Sequence, residues 1–198
     1  MSTVLWWIGR PWTFVWGPLA WEAIAVAVLL FFGGMLLGMW FERRDIAWIT
    51  AYGRWVLQRL ERWLEDDERT FGSLVLLISA VNAGGLALIV MAAHLPPLSA
   101  FLLLVTGLNT GVMAERIAGR YSWLALLMPH AWIEIPAVIC GSAAALEASA
   151  YVMGLEWFDL VADTVWAKAF YLRAALPLLI GAAMLEAMLM VVHRRQND

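Results

Sequence analysis

The chain has 198 residues, of which 63% are hydrophobic and 15% charged, and its formal net charge is −3. A soluble domain is about 45–50% apolar and about 25% charged; the excess here lies in long runs, so the chain reads as one all-α integral membrane domain without room for a second, soluble one. The acidic balance excludes an electrostatic case for nucleic-acid binding, and the single Cys140 excludes an internal disulfide and zinc-type cysteine spacing.

Residues 1–18 carry Trp6, Trp7, Trp12 and Trp16, broken by Pro11 and Pro18. Tryptophan favours the membrane–water boundary, where its ring is buried and its N–H stays wet. This stretch is therefore predicted to be interfacial. It lacks the basic start and cleavage site of a signal peptide, so the first span is expected to target the chain.

Five runs are long enough to cross a bilayer, at about 1.5 Å of rise per residue and about 20 residues per crossing. They are 19–41, 71–93, 98–117, 122–153 and 171–192. Between the first two lies residues 43–68, where Ile46, Ile49, Tyr52, Val56, Leu60 and Trp63 recur every three or four positions among arginines and acids. That periodicity predicts an amphipathic helix, lying on the membrane or covering the bundle. It ends in Glu65, Asp66, Asp67 and Glu68, read as a solvated acidic face and as a candidate docking surface for a partner. The link His94-Leu95-Pro96-Pro97 is so short that spans two and three must form an antiparallel hairpin. Gly34 and Gly38 in span one, and Gly107 and Gly111 in span three, have the four-residue spacing that lets helices approach closely. A weaker amphipathic piece, Trp157 to Trp166, is expected on the opposite surface.

Basic residues suggest the orientation. Arg43, Arg44, Arg54, Arg59, Arg62, Arg69, Arg116, Arg120, Arg194 and Arg195 all fall on one side of a five-span chain. The expectation is a multi-pass plasma-membrane protein with its N-terminus outside and its C-terminus cytoplasmic.

The fourth run poses the main question. As a straight helix, 122–153 would be about 48 Å long, against a hydrocarbon core of roughly 30 Å. Pro129 and Pro136 each remove a backbone donor, freeing the carbonyls of Ala125 and Trp132. A kink or break is expected there, facing protein or water, because lipid satisfies no backbone group. His130 and Glu134 share a helical face. Counted along their spans, Glu134 lies about 18 Å, Asn82 about 16 Å, Asn109 about 13 Å and Glu186 about 10 Å from the same side. The coincidence predicts one polar cluster. It could be structural glue, with interhelical bonds worth about 0.6–2 kcal/mol each. It could line a proton, ion or solute path. It could be catalytic or bind metal, the least favoured option: there is no HExxH, serine elbow or paired-glutamate motif, and one histidine with carboxylates is a poor metal set. No catalytic residue, metal or cofactor is therefore assigned. Glu22, Glu147, Glu115 and Arg116 lie near span ends and are expected to face the interface or water.

The run Pro129-His130-Ala131-Trp132-Ile133-Glu134-Ile135-Pro136-Ala137 resembles the Pro-His-Gly-x-x-Glu-hydrophobic-Pro-Ala signature of the stage II sporulation protein M family of integral membrane proteins. Asn82, Leu108-Asn109-Thr110-Gly111 and Leu185-Glu186-Ala187 resemble further family elements in the same order. Ala131 replaces the family's usual glycine. Alanine disfavours a left-handed backbone, so a helical kink is expected there rather than a sharp turn. The resemblance implies a membrane component of a complex with cell-wall hydrolases, not a hydrolase itself. The leading expectation is a non-enzymatic scaffold or complex subunit, embedded in the lipid bilayer and holding protein partners or copies of itself. The alternative is a permease-like transport component working with a cytoplasmic ATPase; the chain has no phosphate-binding Gly-Lys-Ser loop of its own.

Overall fold

The computed structural model describes residues 19–64, 70–154 and 164–197. The Trp-rich segment 1–18, the acidic cluster Glu65–Glu68 and most of the 157–166 piece lie outside them. Seven α-helices follow in order among the described residues: α1 (Trp21–Arg43), α2 (Ala47–Leu64), α3 (Phe71–Met91), α4 (Pro96–Ala118), α5 (Ala131–Val152), α6 (Thr164–Phe170) and α7 (Leu176–Asn197). Five stretches are long and apolar enough to cross a membrane: α1, α3 with the turn after it, α4, α5, and α6 running on into α7.

The helix signals are local. Thr70 caps α3, its hydroxyl accepting from the Ser73 amide at 3.3 Å. A tight 3-10 turn, Ala92–His94, closes the α3–α4 hairpin, and α4 opens on proline, which costs nothing where no backbone donor is needed. Asp45 holds the sharp α1–α2 corner at φ 53°, a left-handed conformation that Asp tolerates better than most residues.

The bundle is organised around α5. In α5, 72% of the spanning window is buried, against 28–33% in the other four. Its small residues explain this: Gly141, Ser142, Ala143, Ala144, Ala145, Ala148, Ser149 and Ala150 are all buried. Lipid tails are as apolar as leucine, so membrane helices gain by close van der Waals approach, which small side chains permit. A Cβ on Gly141 would come 2.8 Å from the Leu86 side chain of α3.

The second seam joins α1 to α4. The two glycine pairs interlock: a Cβ on Gly34 or Gly38 would strike the carbonyl oxygens of Leu104 or Leu108, and one on Gly107 or Gly111 those of Phe31 or Met35. The spacing noted in the sequence is thus used within one chain. A third seam pairs Leu74 and Ile78 of α3 with Ala183 and Ala187 of α7.

Two span boundaries differ from expectation. The fourth span does not start at 122: residues Gly119–Leu127 form a 3-10 segment, and α5 starts at Ala131. The interruption falls at Met128–His130, beside Pro129. Pro136 does not break the chain but sits inside α5. With the helix already interrupted one turn earlier, only the Trp132 carbonyl loses its helical partner. Ala131 is helical and has no positive φ, as expected for alanine. The fifth span starts at Thr164 instead of 171, so Trp166 belongs to the spanning helix and not to a separate surface piece. Its widened π turn, Tyr171–Ala175, lies just before Pro177, which has no backbone donor to offer the helix.

The amphipathic helix α2 covers the bundle. Its inward face is Thr50, Gly53 and Leu57, buried against α4. Tyr52, expected on the apolar face, is 61% exposed, and Trp48 and Trp55 are exposed beside it. The reason is size: Gly53 admits Val112 and Asn109 of α4 to within 3.0–3.3 Å of a would-be Cβ, so the small residues turn inward and the rings outward.

Candidate functional site

The break at Pro129 sets up the site. His130 occupies the N-cap position of α5 in helical geometry (φ −67°, ψ −33°), and its side chain caps nothing. Its carbonyl accepts from the Ile133 and Glu134 amides at 3.0 and 2.9 Å. The imidazole is therefore placed by the first turn yet left free of that turn. Glu134 lies in the same turn, near the positive end of the helix dipole, where a carboxylate is favoured. With α5 starting at Ala131, Glu134 is shallower than a span from 122 implies. Glu186 reaches the same place from α7, about 9 Å in from the end of its span at Val192.

One donor atom from each of His130, Glu134 and Glu186 lies within 4.8 Å of the others, and all three residues are half-buried. No hydrogen bond joins them among the described residues, and no arginine or lysine pairs with either glutamate. The Nδ1 atom of His130 is buried without a partner. Two close carboxylates at low dielectric repel strongly, so the arrangement calls for a proton or a cation between them.

The other predicted members behave differently. Asn109 is half-buried on α4 with its Oδ1 against Gly53 of α2, 3.3 Å from where a Cβ would stand. It serves the α2–α4 contact. Asn82 is half-buried on α3 and makes no hydrogen bond to the three. An apolar groove of about 270 Å³ lies beside Pro136, between α5 and the last span, lined by residues including Trp132, Cys140, Phe170 and Leu178. Its lining is too apolar to carry chemistry.

Two polar sets were not legible as sites. Glu147 does not reach the interface: it is 1% exposed, because its Oε1 accepts from the Ala20 backbone amide at the start of α1. Ala20 has no side chain to cap that helix, and the carboxylate from α5 replaces one. Nearby, the buried Ser149 hydroxyl donates to the Ala93 carbonyl at 3.1 Å and lies 2.9 Å from the Ser99 hydroxyl. The only sequence hint was that Glu147 and Ser149 interrupt an alanine run. On the opposite side, Glu115 and Arg116 are likewise paired across helices. Arg43 holds Glu115 through two bonds of 2.8 and 2.9 Å. Arg116 meets Glu42 at 3.1 Å. Arg54 of α2 meets Asp45 at 2.6 Å and Glu42 at 2.9 Å, and these hydrogen bonds hold its guanidinium pKa above the ordinary value.

No curated protein and no solved structure matches the chain. The family model for stage II sporulation protein M matches residues 24–189, most of the chain, including all three residues of the triad. The broken fourth span, with its Pro-His and Glu-Ile-Pro elements, thus lies in a multi-pass membrane protein that belongs to the stage II sporulation protein M family.

Proposed function

We propose that this protein is a non-enzymatic membrane scaffold, a complex subunit that holds protein partners against the bilayer. The observation that carries the reading is the mounting of α2. Its inner face, Thr50, Gly53 and Leu57, is seated on the bundle, and Arg54 ties it to Glu42 and Asp45. Its outer face presents Trp48, Tyr52 and Trp55, with the last two rings stacked at 6.1 Å and Arg59 over Trp55. A helix fixed this firmly, with large apolar groups turned outward, offers a preorganised surface, and rigid aromatic and arginine side chains are common anchors in interfaces. Cell-wall-remodelling enzymes are the partners the family resemblance suggests. On the proposed orientation they would meet the chain from the side opposite α2, and α2 would serve the cytoplasmic side.

Photo-crosslinkers at positions 48, 52 and 55, followed by purification in mild detergent, test the reading. A discrete protein adduct is expected, weakened by Trp48→Ala with Trp55→Ala. A chain that purifies alone and labels only lipid would defeat it. The orientation is tested by a C-terminal reporter, expected to be active only in the cytoplasm.

A permease-like role beside a cytoplasmic ATPase is the second reading, favoured by a carboxylate pair next to an interrupted helix. Cysteines placed along α5 separate the two. Labelling from water that continues past Glu134 toward position 147 supports transport; labelling that stops at the first turn supports the scaffold.

A further inference from the structure

We infer that His130, Glu134 and Glu186 bind a single divalent first-row metal ion of the zinc–manganese class, clipping α7 to the start of α5. This goes beyond the scaffold reading and does not depend on it.

Three observations converge. First, the donors fit. One imidazole nitrogen and two carboxylate oxygens, from two helices, lie within 4.8 Å of one another. An ion at about 2.1 Å from each donor sets donor separations of about 3.0–3.4 Å, within reach of small rotations of two glutamate side chains. Imidazole suits zinc and its neighbours, and carboxylates suit manganese, so a mixed set favours this class over soft ions that seek thiolates. The lone Cys140 lies in the apolar groove and takes no part.

Second, the three side chains are not bonded to one another. A hydrogen-bonded hub would show an imidazole–carboxylate or carboxyl–carboxylate bond. Instead the site has three separate donors and a buried Nδ1 with no partner. A metal-bound histidine typically uses one ring nitrogen on the ion and holds the other by a hydrogen bond. The orphaned nitrogen is therefore a candidate ligand atom.

Third, the charge balances. No arginine or lysine neutralises Glu134 or Glu186 among the described residues. A divalent cation cancels both carboxylate charges at once and removes the repulsion between them. Half-exposure of all three residues leaves room for water in the remaining coordination positions and a way in for the ion. The interruption at Met128–His130 frees the imidazole from the helix, and His130 and Glu134, four apart, bracket one turn as metal-binding pairs on helices do.

The test uses the full chain in nanodiscs, carrying an affinity tag without histidine and stripped with chelator. It is titrated with Zn2+ and separately with Mn2+. Binding of one ion per chain and a raised melting temperature are expected. His130→Ala, Glu134→Gln and Glu186→Gln should each weaken binding by at least roughly 10–100-fold, while Glu147→Gln binds as the parent does. Should a ligand variant fail to fold, pulsed electron paramagnetic resonance on the Mn2+-loaded parent chain decides: coupling to one imidazole nitrogen is expected. Absence of saturable binding, a manganese signal without nitrogen coupling, or unchanged affinity in folded ligand variants would each overturn the assignment.

Discussion

The two ends of α5 each carry a glutamate and treat it in opposite ways. At the far end Glu147 and Ser149 are almost wholly buried, and each is bonded across helices to backbone groups of α1 or of the α3–α4 turn. At the near end His130 and Glu134 are half-buried, share no hydrogen bond and face Glu186. The far end is a polar seam: Glu147 Oε1 and the Ser149 hydroxyl are bonded where they stand, Glu147 Oε2 is buried without a partner, and the Glu147 bond ties α5 to the start of α1. The near end is a set of donors held apart. Polarity in a membrane span therefore does not by itself signal a site. What separates the two cases is whether each side chain is already bonded into the fold: Glu147 and Ser149 are, while the side chains of His130, Glu134 and Glu186 make no hydrogen bond among the described residues.

The largest effect should come from breaking the seam. Glu147→Ala removes the acceptor for the Ala20 amide and leaves a buried void, for an expected loss of about 2–4 kcal/mol, measured by equilibrium unfolding in mixed micelles. Glu147→Gln keeps an acceptor oxygen and should cost less than about 1 kcal/mol; an equal loss in both variants would show that the carboxylate charge, not the hydrogen bond, matters. Next comes Ser149→Ala, which removes the bonds to Ala93 and Ser99 and should cost about 1–2 kcal/mol. Arg54→Ala, at a part-exposed ion pair, should cost about 0.5–1 kcal/mol and raise hydrogen exchange in α2 without changing the spans. The smallest effect on metal-free stability is expected at the near end. Glu134→Gln should stay within about 1 kcal/mol of the parent by the same unfolding measurement, because no hydrogen bond is lost. If Glu134→Gln unfolded the chain as thoroughly as Glu147→Ala, the distinction between site and seam would fail.

Much of this was legible in the residues. Hydropathy located five spans, because crossing the core requires a run of apolar residues whatever the neighbours are. The glycine pairs announced a close helix contact. The proline beside His130 announced an interruption, and depth counting along the spans placed Glu134 and Glu186 on a common side. Depth alone could not say which residues face one another. It grouped Asn109 with the triad, although that side chain turns toward α2. Periodicity likewise found α2, and Ile46, Ile49 and Val56 of its apolar face are half-buried, but it placed Tyr52 there and missed Gly53, since it weighs apolar character and not the fit of Gly53 against Val112.

The amino-acid sequence by itself determined the membrane class, the number of spans and the residues available for a polar site. Only the tertiary structure decided which span is central, that Glu147 is a buried cap and that His130 and Glu134 meet Glu186. The reason lies in the solvent. Lipid is as apolar as a protein core, so hydropathy does not distinguish a buried span from one facing lipid. The central α5 has a mean hydropathy of 1.5, below the 2.3 of the more lipid-exposed α1. Its small residues, chosen for close packing, are less hydrophobic than the leucines that face the bilayer, and their role emerges only once the other helices surround them.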